Sequence, residues 1–249
     1  MLHLILLQQA VILQLQNLPT LHSFRKTILL TAAISFSAVG NAQVDLDMSK
    51  VFNVTETPVE LHEAVAKVHD GIVFIGDTRP ADKIQEGKYK GMRAMKMRRT
   101  FNIDGTARQF NNALAFRRPP QGATKEHLVD VTLIPRSCMI QMKPTSNGTF
   151  NFEVYTSKPE AKLYVAALNG TSWKNLGNLT YKNEGKKGTK AEPLTPLTLN
   201  YNHKAGDEIW IYSDGSAYLL GMQFSGNLDT SFKGTDTLAA YKAIRRANK

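Results

Sequence analysis

Strand-length runs of apolar or alternating residues, separated by turns, dominate this chain from Asp45 onward. The clearest runs are GIVFIGD, LVDVTLI, FNFEVYT, AKLYVAAL, LGNLTY, PLTLNY and EIWIY. Runs of this length with two-residue periodicity, bounded by Gly, Asn, Asp and Pro, are typical of β-strands. Because they recur about every dozen residues with almost no helical periodicity, the pattern predicts an all-β sandwich.

The last residues depart from the strand pattern. Between Thr235 and Asn248, the apolar residues Leu238, Tyr241 and Ile244 fall three apart, with basic residues elsewhere. Asp236 or Thr235 is a suitable helix cap. The segment therefore predicts a short C-terminal helix, with a partly disordered basic tail as the alternative.

The start of the chain has the pattern of an export signal. Arg25 and Lys26 precede an apolar stretch from Thr27 to Val39, and the small residues Gly40-Asn41-Ala42 follow. The apolar stretch is shorter than the roughly 20 residues of a membrane-spanning helix. It predicts a signal peptide cleaved near Ala42, no membrane span in the mature chain, and a secreted or periplasmic protein. Residues 1–23 do not fit a signal peptide and indicate a start codon assigned too far upstream.

These patterns predict three parts: a leader over residues 1–42, one β-sandwich over 43–230, and a tail or helix over 231–249. Within the sandwich, strands of residues 43–120 precede a second half of residues 121–230. A boundary near Gln121-Gly122 would create two domains with incomplete sheets. One domain is therefore the favoured interpretation.

The charge balance limits the class of ligand that the chain favours, and the single cysteine limits its covalent cross-links. The leader's charged residues are Arg25 and Lys26, so the remainder has 29 basic and 21 acidic residues, a net charge of +8. This balance, with a basic cluster at Lys90–Arg99, favours anionic surfaces or ligands. No nucleic-acid motif is present, and we expect no nucleic-acid partner. Cys138 is the single cysteine, which excludes a disulfide framework and predicts a buried thiol.

The second half resembles a known group. Its order is SCMIQMK, an Asn-Gly turn, FNFEVYT, KLYVAAL, LGNLTY, PLTLNY, HKAGDEIWIYSDGSAYLLGMQF and a final Asp. From Leu128 to Asp229, this order resembles the galactose-binding-domain-like jelly rolls of secreted sugar-binding proteins from polysaccharide-degrading Gram-negative gut bacteria. The resemblance implies a jelly-roll β-sandwich and a non-catalytic accessory or glycan-binding role. It carries no site residue over to this chain, because jelly rolls perform many functions.

Aromatic residues are the candidate ligand contacts. In EIWIY, Ile209 and Ile211 suit the sandwich interior, so Trp210 and Tyr212 should point to the other face. Aromatic faces bind sugar rings, and Asp214 could bind their hydroxyls. The pattern predicts a ligand platform, with a minor core beneath another chain segment as the alternative.

Two further aromatic residues complete the predicted ligand-binding set. Trp173 lies in the turn-rich NGTSWKNLG segment and is either a ligand contact or a plug at the end of the sandwich. Tyr181 precedes a basic loop of residues 182–190 that would suit anionic sugars.

Signals of catalysis are weak. No nucleophile elbow or zinc motif is present, and adjacent carboxylates such as Asp207 and Glu208 would point to opposite faces of a strand. We expect no catalytic residue, no metal-binding residue and no cofactor, with a structural calcium ion left open. The sequence thus favours a secreted protein that binds a polysaccharide or oligosaccharide. A polysaccharide hydrolase or lyase and a structural or adhesive envelope component are the alternatives.

Overall fold

The computed structural model describes residues 44–61, 67–76, 92–116, 138–183, 192–213, 215 and 217–247. All of them fall in one compact unit, Ala42–Lys249. The predicted signal peptide, its cleavage site and Asp214 lie outside the described residues.

Fourteen strands and two helices are formed within these ranges. In chain order they are β1 (Val44–Asp47), α1 (Met48–Val51), β2 (Val59–Glu60), β3 (Lys67–His69), β4 (Ile72–Ile75), β5 (Met92–Ile103), β6 (Thr106–Phe116), β7 (Met139–Met142), β8 (Gly148–Tyr155), β9 (Glu160–Asn169), β10 (Ser172–Lys182), β11 (Glu192–Pro193), β12 (Leu197–Tyr201), β13 (Glu208–Ser213), β14 (Tyr218–Phe224) and α2 (Thr237–Ala247). The predicted all-β architecture is confirmed, as is the short C-terminal helix.

The strands form two sheets. The first has the order β11-β5-β6-β14-β8-β12, with β1 also paired to β14 and β2 to β5. The second has the order β10-β9-β13-β7-β4-β3. Apart from the short parallel pair β11–β5, the pairings are antiparallel. Strands from before residue 117 pair directly with later strands in both sheets, β6 with β14 and β4 with β7, so a cut near residue 121 would separate paired strands in both.

The main core lies between the two sheets. Each contributes alternate side chains, as expected of a strand with one face turned inward. Phe150 of β8 stacks on Phe224 of β14 with 4.3 Å between ring centroids. The second sheet contributes, among others, Phe74, Ile140, Leu163, Val165, Ile209 and Ile211. Cys138 is buried beside them, as the sequence predicted.

Two tight turns set the register of their hairpins. Asp104-Gly105, between β5 and β6, has φ angles of 50° and 81°. Asp70-Gly71, between β3 and β4, has 45° and 77°. Two consecutive positive φ angles are required by the turn that matches the right-handed twist of paired strands, and Asp-Gly tolerates them best. The Asp and Gly residues that bound the strand-length runs in the sequence thus form turns at these two dipeptides.

A third layer covers the outer face of the second sheet. Helix α2 buries Thr237, Ala240 and Ile244 against that face. Asp236 caps the helix, because its Oδ1 accepts hydrogen bonds from the backbone N–H groups of Leu238 (2.9 Å) and Ala239 (3.1 Å). The predicted apolar stripe was partly wrong: Leu238 is 46% exposed. Neither α2 nor the single turn of α1 has the length and apolar character that crossing a bilayer requires.

Candidate functional site

Trp210 and Tyr212 do not form the exposed platform that their alternation predicted. They do leave β13 on the face opposite Ile209 and Ile211, but Trp210 is 0% exposed and Tyr212 3% exposed. Both belong to a second apolar core, in which α2 contributes Ile244. Both rings are buried because the chain returns after β14 and covers this face with a helix. Burial also raises the pKa of the Tyr212 hydroxyl.

Polar contacts fix the segment that leads into α2. The Gln141 side chain accepts a hydrogen bond from the Thr235 backbone N–H (2.8 Å) and donates one to the Thr235 carbonyl (3.3 Å). The Thr235 hydroxyl donates to Glu208 at 2.6 Å. A Cβ on Gly234, whose φ is +88°, would lie 3.0 Å from the side chain of Val73, so glycine permits this close approach. The helical cover is therefore anchored to the sheet by specific contacts.

The other predicted ligand residues lie in different environments. Trp173 is half-buried, and its ring meets that of Trp210 edge-on at 5.3 Å, so it borders the second core. A ligand contact through its exposed part stays a prediction. Tyr181 is only 6% exposed and packs in the main core, so the prediction that its ring contacts a ligand is wrong. Asp214 lies outside the described residues.

A polar pocket lies elsewhere, between α1, the loop that follows it, and strands β5 and β6. Its volume is about 290 Å³. The lining residues are Ser49, Asn53, Val54, Lys96, Arg98, Asn111 and Asn112. Two cations and three amides thus surround a small space, and Val54 is its one apolar side chain. Such a set suits a ligand that carries both an anionic group and hydroxyls.

A β-bulge places Arg98 at the pocket. Lys96 pairs with Asn112, and Arg99 pairs with Phe110, so two residues of β5 oppose one residue of β6. Arg98 takes a left-handed φ of 48° in this bulge. A bulge bends its strand and redirects side chains, and a non-glycine residue held at positive φ is strained. The strain is therefore stored at the residue that brings a guanidinium to the pocket.

Helix α1 and β6 form the opposite wall through polar contacts. The Ser49 Oγ accepts hydrogen bonds from the backbone N–H groups of Asn111 and Asn112, each at 3.2 Å. The Asn112 amide donates to the Phe52 carbonyl at 2.6 Å. The cap of α1 is formed by Asp47, whose Oδ1 accepts from the Ser49 N–H at 2.8 Å. These contacts fix the pocket wall, while the amide of Asn111 is exposed on it.

An exposed carboxylate lies beside the two cations. The Lys96 Nζ is 2.5 Å from Glu56 Oε1, and Arg98 Nη2 is 4.0 Å from the same oxygen. The Lys96 side chain is 22% exposed, whereas those of Arg98 and Glu56 are 68% and 82% exposed. The hydrogen bond from Lys96, and then its charge, hold the pKa of Glu56 below its ordinary value. The formal charges of the three side chains sum to +1.

A second charged pair has a different character. Glu153 of β8 is 5% exposed and accepts a hydrogen bond from Arg108 Nη1. It lies over Gly221, where any Cβ would collide with the carboxylate. Burial raises the pKa of Glu153, and the Arg108 charge opposes this effect. The carboxylate of this pair is buried, whereas the Arg108 side chain is 36% exposed and its guanidinium is engaged by Glu153.

The sequence contained part of the signal for the pocket. The basic cluster Lys90–Arg99, which favours anionic surfaces or ligands, contains both Lys96 and Arg98. Its association with Asn111, Asn112 and Ser49 was missed, because an alternating pattern does not reveal a bulge. Over the stretches that the structure describes, no group of three or more His, Cys, Asp or Glu side chains is arranged to hold a metal ion.

Comparisons with known proteins give only distant likenesses. No protein-family model matches the chain, and no curated protein does. Among solved structures, it is similar to the K2 cleaved adhesin domain of Lys-gingipain, with a TM-score of 0.36 and 17% identity over 74% of this chain and 98% of that one.

Two further structures are less similar. The first contains the CBM22-1 and GH10 modules of a Clostridium thermocellum xylanase with xylohexaose, at a TM-score of 0.33 and 10% identity, over 71% of this chain and 30% of that one. The other is Eiger TNF from S. frugiperda, at a TM-score of 0.27 and 10% identity, over 66% of this chain and 94% of that one. At such scores these likenesses carry no argument about function.

Proposed function

We propose that this protein is an exported, non-catalytic carbohydrate-binding protein whose pocket between α1, β5 and β6 takes an anionic group of a glycan. The observation that carries the proposal is the convergence of Lys96 and Arg98 with the amides of Asn53 and Asn111 on one open pocket. The proposal keeps the expected ligand class and moves its site from the aromatic residues of β13 to the bulge in β5.

The chemistry of the lining supports an anionic sugar. A guanidinium donates paired hydrogen bonds to a carboxylate or sulfate, and a lysine adds a compact charge. Asparagine amides both donate and accept, so they suit the hydroxyls of a sugar ring. A volume of about 290 Å³ lies near the lower limit of small-molecule sites, which suits a short part of a glycan.

The lining residues also support binding without turnover. Glycoside hydrolysis needs two carboxylic side chains across one bond. The pocket is lined by amides, cations, a serine and a valine. Glu56 is the carboxylate beside it, and this residue is already paired with Lys96. The Ser49 hydroxyl accepts two backbone hydrogen bonds and has no histidine within the lining to activate it.

The test is a glycan array followed by calorimetry on sulfated, uronic-acid and neutral oligosaccharides. We expect binding of the charged oligosaccharides, and a loss of about tenfold in affinity in Arg98→Gln, because a hydrogen bond to an ionised partner is removed. Lys162→Gln is the matched control, since it removes the same charge from an exposed lysine on β9. It should bind as wild type does.

Four outcomes would contradict the proposal. Equal losses in Arg98→Gln and Lys162→Gln would indicate nonspecific charge attraction. Turnover of a polysaccharide by the wild-type protein would favour the hydrolase or lyase alternative. Retention of protein partners with no glycan bound would favour the adhesive alternative. A loss of glycan binding in Trp173→Ala, with Arg98→Gln unaffected, would return the site to the second sheet.

A further inference from the structure

We propose that Glu56 is a specificity-determining residue of this pocket, because its carboxylate occupies the position on Lys96 that the ligand's anionic group would take. The inference rests on the proposed function for the identity of the ligand. The geometry that motivates it is the contact of one oxygen, Glu56 Oε1, with both cations, at 2.5 Å from Lys96 Nζ and 4.0 Å from Arg98 Nη2.

The two cations define an anion position that a side chain of this protein already fills. Lys96 is the less exposed of the two, so its ammonium has fewer directions from which an anion can approach. Arg98, by contrast, extends largely into solvent and lies at the outer limit of contact with Glu56. An incoming carboxylate or sulfate therefore meets the exposed guanidinium of Arg98 first and must compete with Glu56 for Lys96.

The position of Glu56 allows a ligand to displace its carboxylate from Lys96. It lies in a bend, residues 55–57, between α1 and β2, and its side chain is 82% exposed. Exposed ion pairs contribute little to stability, since water and salt replace the lost contact. The carboxylate can therefore leave Lys96 at small cost. A neutral sugar gains no ionic contact when Glu56 leaves Lys96, whereas an anionic sugar gains Lys96 as a second cationic partner.

The consequence is a graded selectivity. While Glu56 is paired, the pocket presents a net charge of +1 and attracts a singly charged group only moderately. A group with several anionic oxygens can contact Lys96 and Arg98 together, and these contacts offset the free-energy cost of displacing Glu56 from Lys96. Glu56 thus weakens all anionic ligands, and it weakens those that engage Arg98 alone less than those that require Lys96.

The experiment titrates sodium sulfate into wild type, Glu56→Gln and Glu160→Gln, followed by the NMR signals of Arg98 Nε–H and of the Asn111 and Asn112 amides. We expect Glu56→Gln to bind sulfate about two- to fivefold more tightly, the range of an exposed ion pair. Glu160→Gln is the matched control, because it removes an exposed carboxylate 4.0 Å from Lys162 on β9. It should match wild type at these signals.

A double variant separates competition from a general charge effect. In the Lys96→Gln background, Glu56→Gln should give little or no gain, because the contact that it relieves is already absent. An equal gain in both backgrounds would overturn the proposal, as would unchanged or weaker sulfate binding in Glu56→Gln.

The two proposals fail in different ways. If sulfate binds as expected but no glycan binds to the array, the carbohydrate function is wrong and the role of Glu56 stands. If charged oligosaccharides bind wild type and Glu56→Gln equally well, the function stands and the role of Glu56 is wrong. Neutral oligosaccharides should bind both proteins alike, and a gain for them in Glu56→Gln would also contradict competition at Lys96.

Discussion

The two sheets of this sandwich differ in whether the side chains outside the main core are covered or open. Outside the second sheet, Trp210 and Tyr212 are sealed beneath α2 and form a second core. Beside β5 and β6 of the first sheet, Lys96, Arg98 and Asn111 surround an open pocket. Aromatic side chains, which suggested a ligand surface, stabilise the fold, whereas two residues of the basic cluster Lys90–Arg99 line the candidate site.

Residue type alone does not assign a role to a side chain on a sheet. A tryptophan that leaves the main core can bind a ligand or a helix with the same apolar surface. Coverage decides between these roles, and here Gln141, Thr235 and Asp236 anchor the cover. The role of a charged pair likewise depends on the exposure of its carboxylate, which is buried in Glu153–Arg108 and exposed in Glu56–Lys96.

The largest expected effect is that of Trp210→Ala. Removing this fully buried ring should lower the free energy of unfolding by about 3–5 kcal/mol, because it leaves a cavity between α2 and the sheet. Trp210→Phe should cost less, since the indole N–H has no hydrogen-bond partner among the described residues. Urea denaturation measures both. If Trp210→Ala keeps its stability but loses glycan binding, the outer face of the second sheet binds the ligand and the pocket beside β5 and β6 does not.

A smaller effect is expected at Arg98, where stability and binding should separate. Arg98→Gly should be more stable than Arg98→Ala by about 1–2 kcal/mol, because glycine adopts a left-handed φ without the clash of a Cβ. Both variants should lose binding of anionic ligands. Thermal unfolding and calorimetry check the two results. Equal stabilities would mean that the bulge relaxes and that no strain is held at the pocket.

The smallest effect is expected at the cap of α2. Asp236→Ala should lower the free energy of unfolding by about 1 kcal/mol, because two backbone N–H groups lose their acceptor. Hydrogen exchange should show faster opening of α2 than of β13. Sulfate and glycan affinities should stay unchanged, and a change in them would show that the helix and the pocket are coupled.

The fold was largely predictable, and the candidate site was not. Alternation in FNFEVYT and EIWIY, with Asp-Gly turns at 70–71 and 104–105, was enough to predict an all-β sandwich. In β5, Met92 and Ala94 face inward before the bulge, and Phe101 and Ile103 after it, so the inward positions shift from even to odd numbers. Nothing in the local pattern marks that shift, which depends on the pairing of β5 with β6.

Local sequence periodicity was sufficient to show which side chains share a face of a regular strand, because successive Cβ atoms of an extended backbone point in opposite directions, but not at the bulge in β5. The sequence by itself also determined the turns, through residues that tolerate positive φ. Only the tertiary structure decided which faces are covered and which stay open. That decision depends on contacts between distant segments, such as Gln141 with Thr235 and Ser49 with Asn111, and local periodicity contains no information about them.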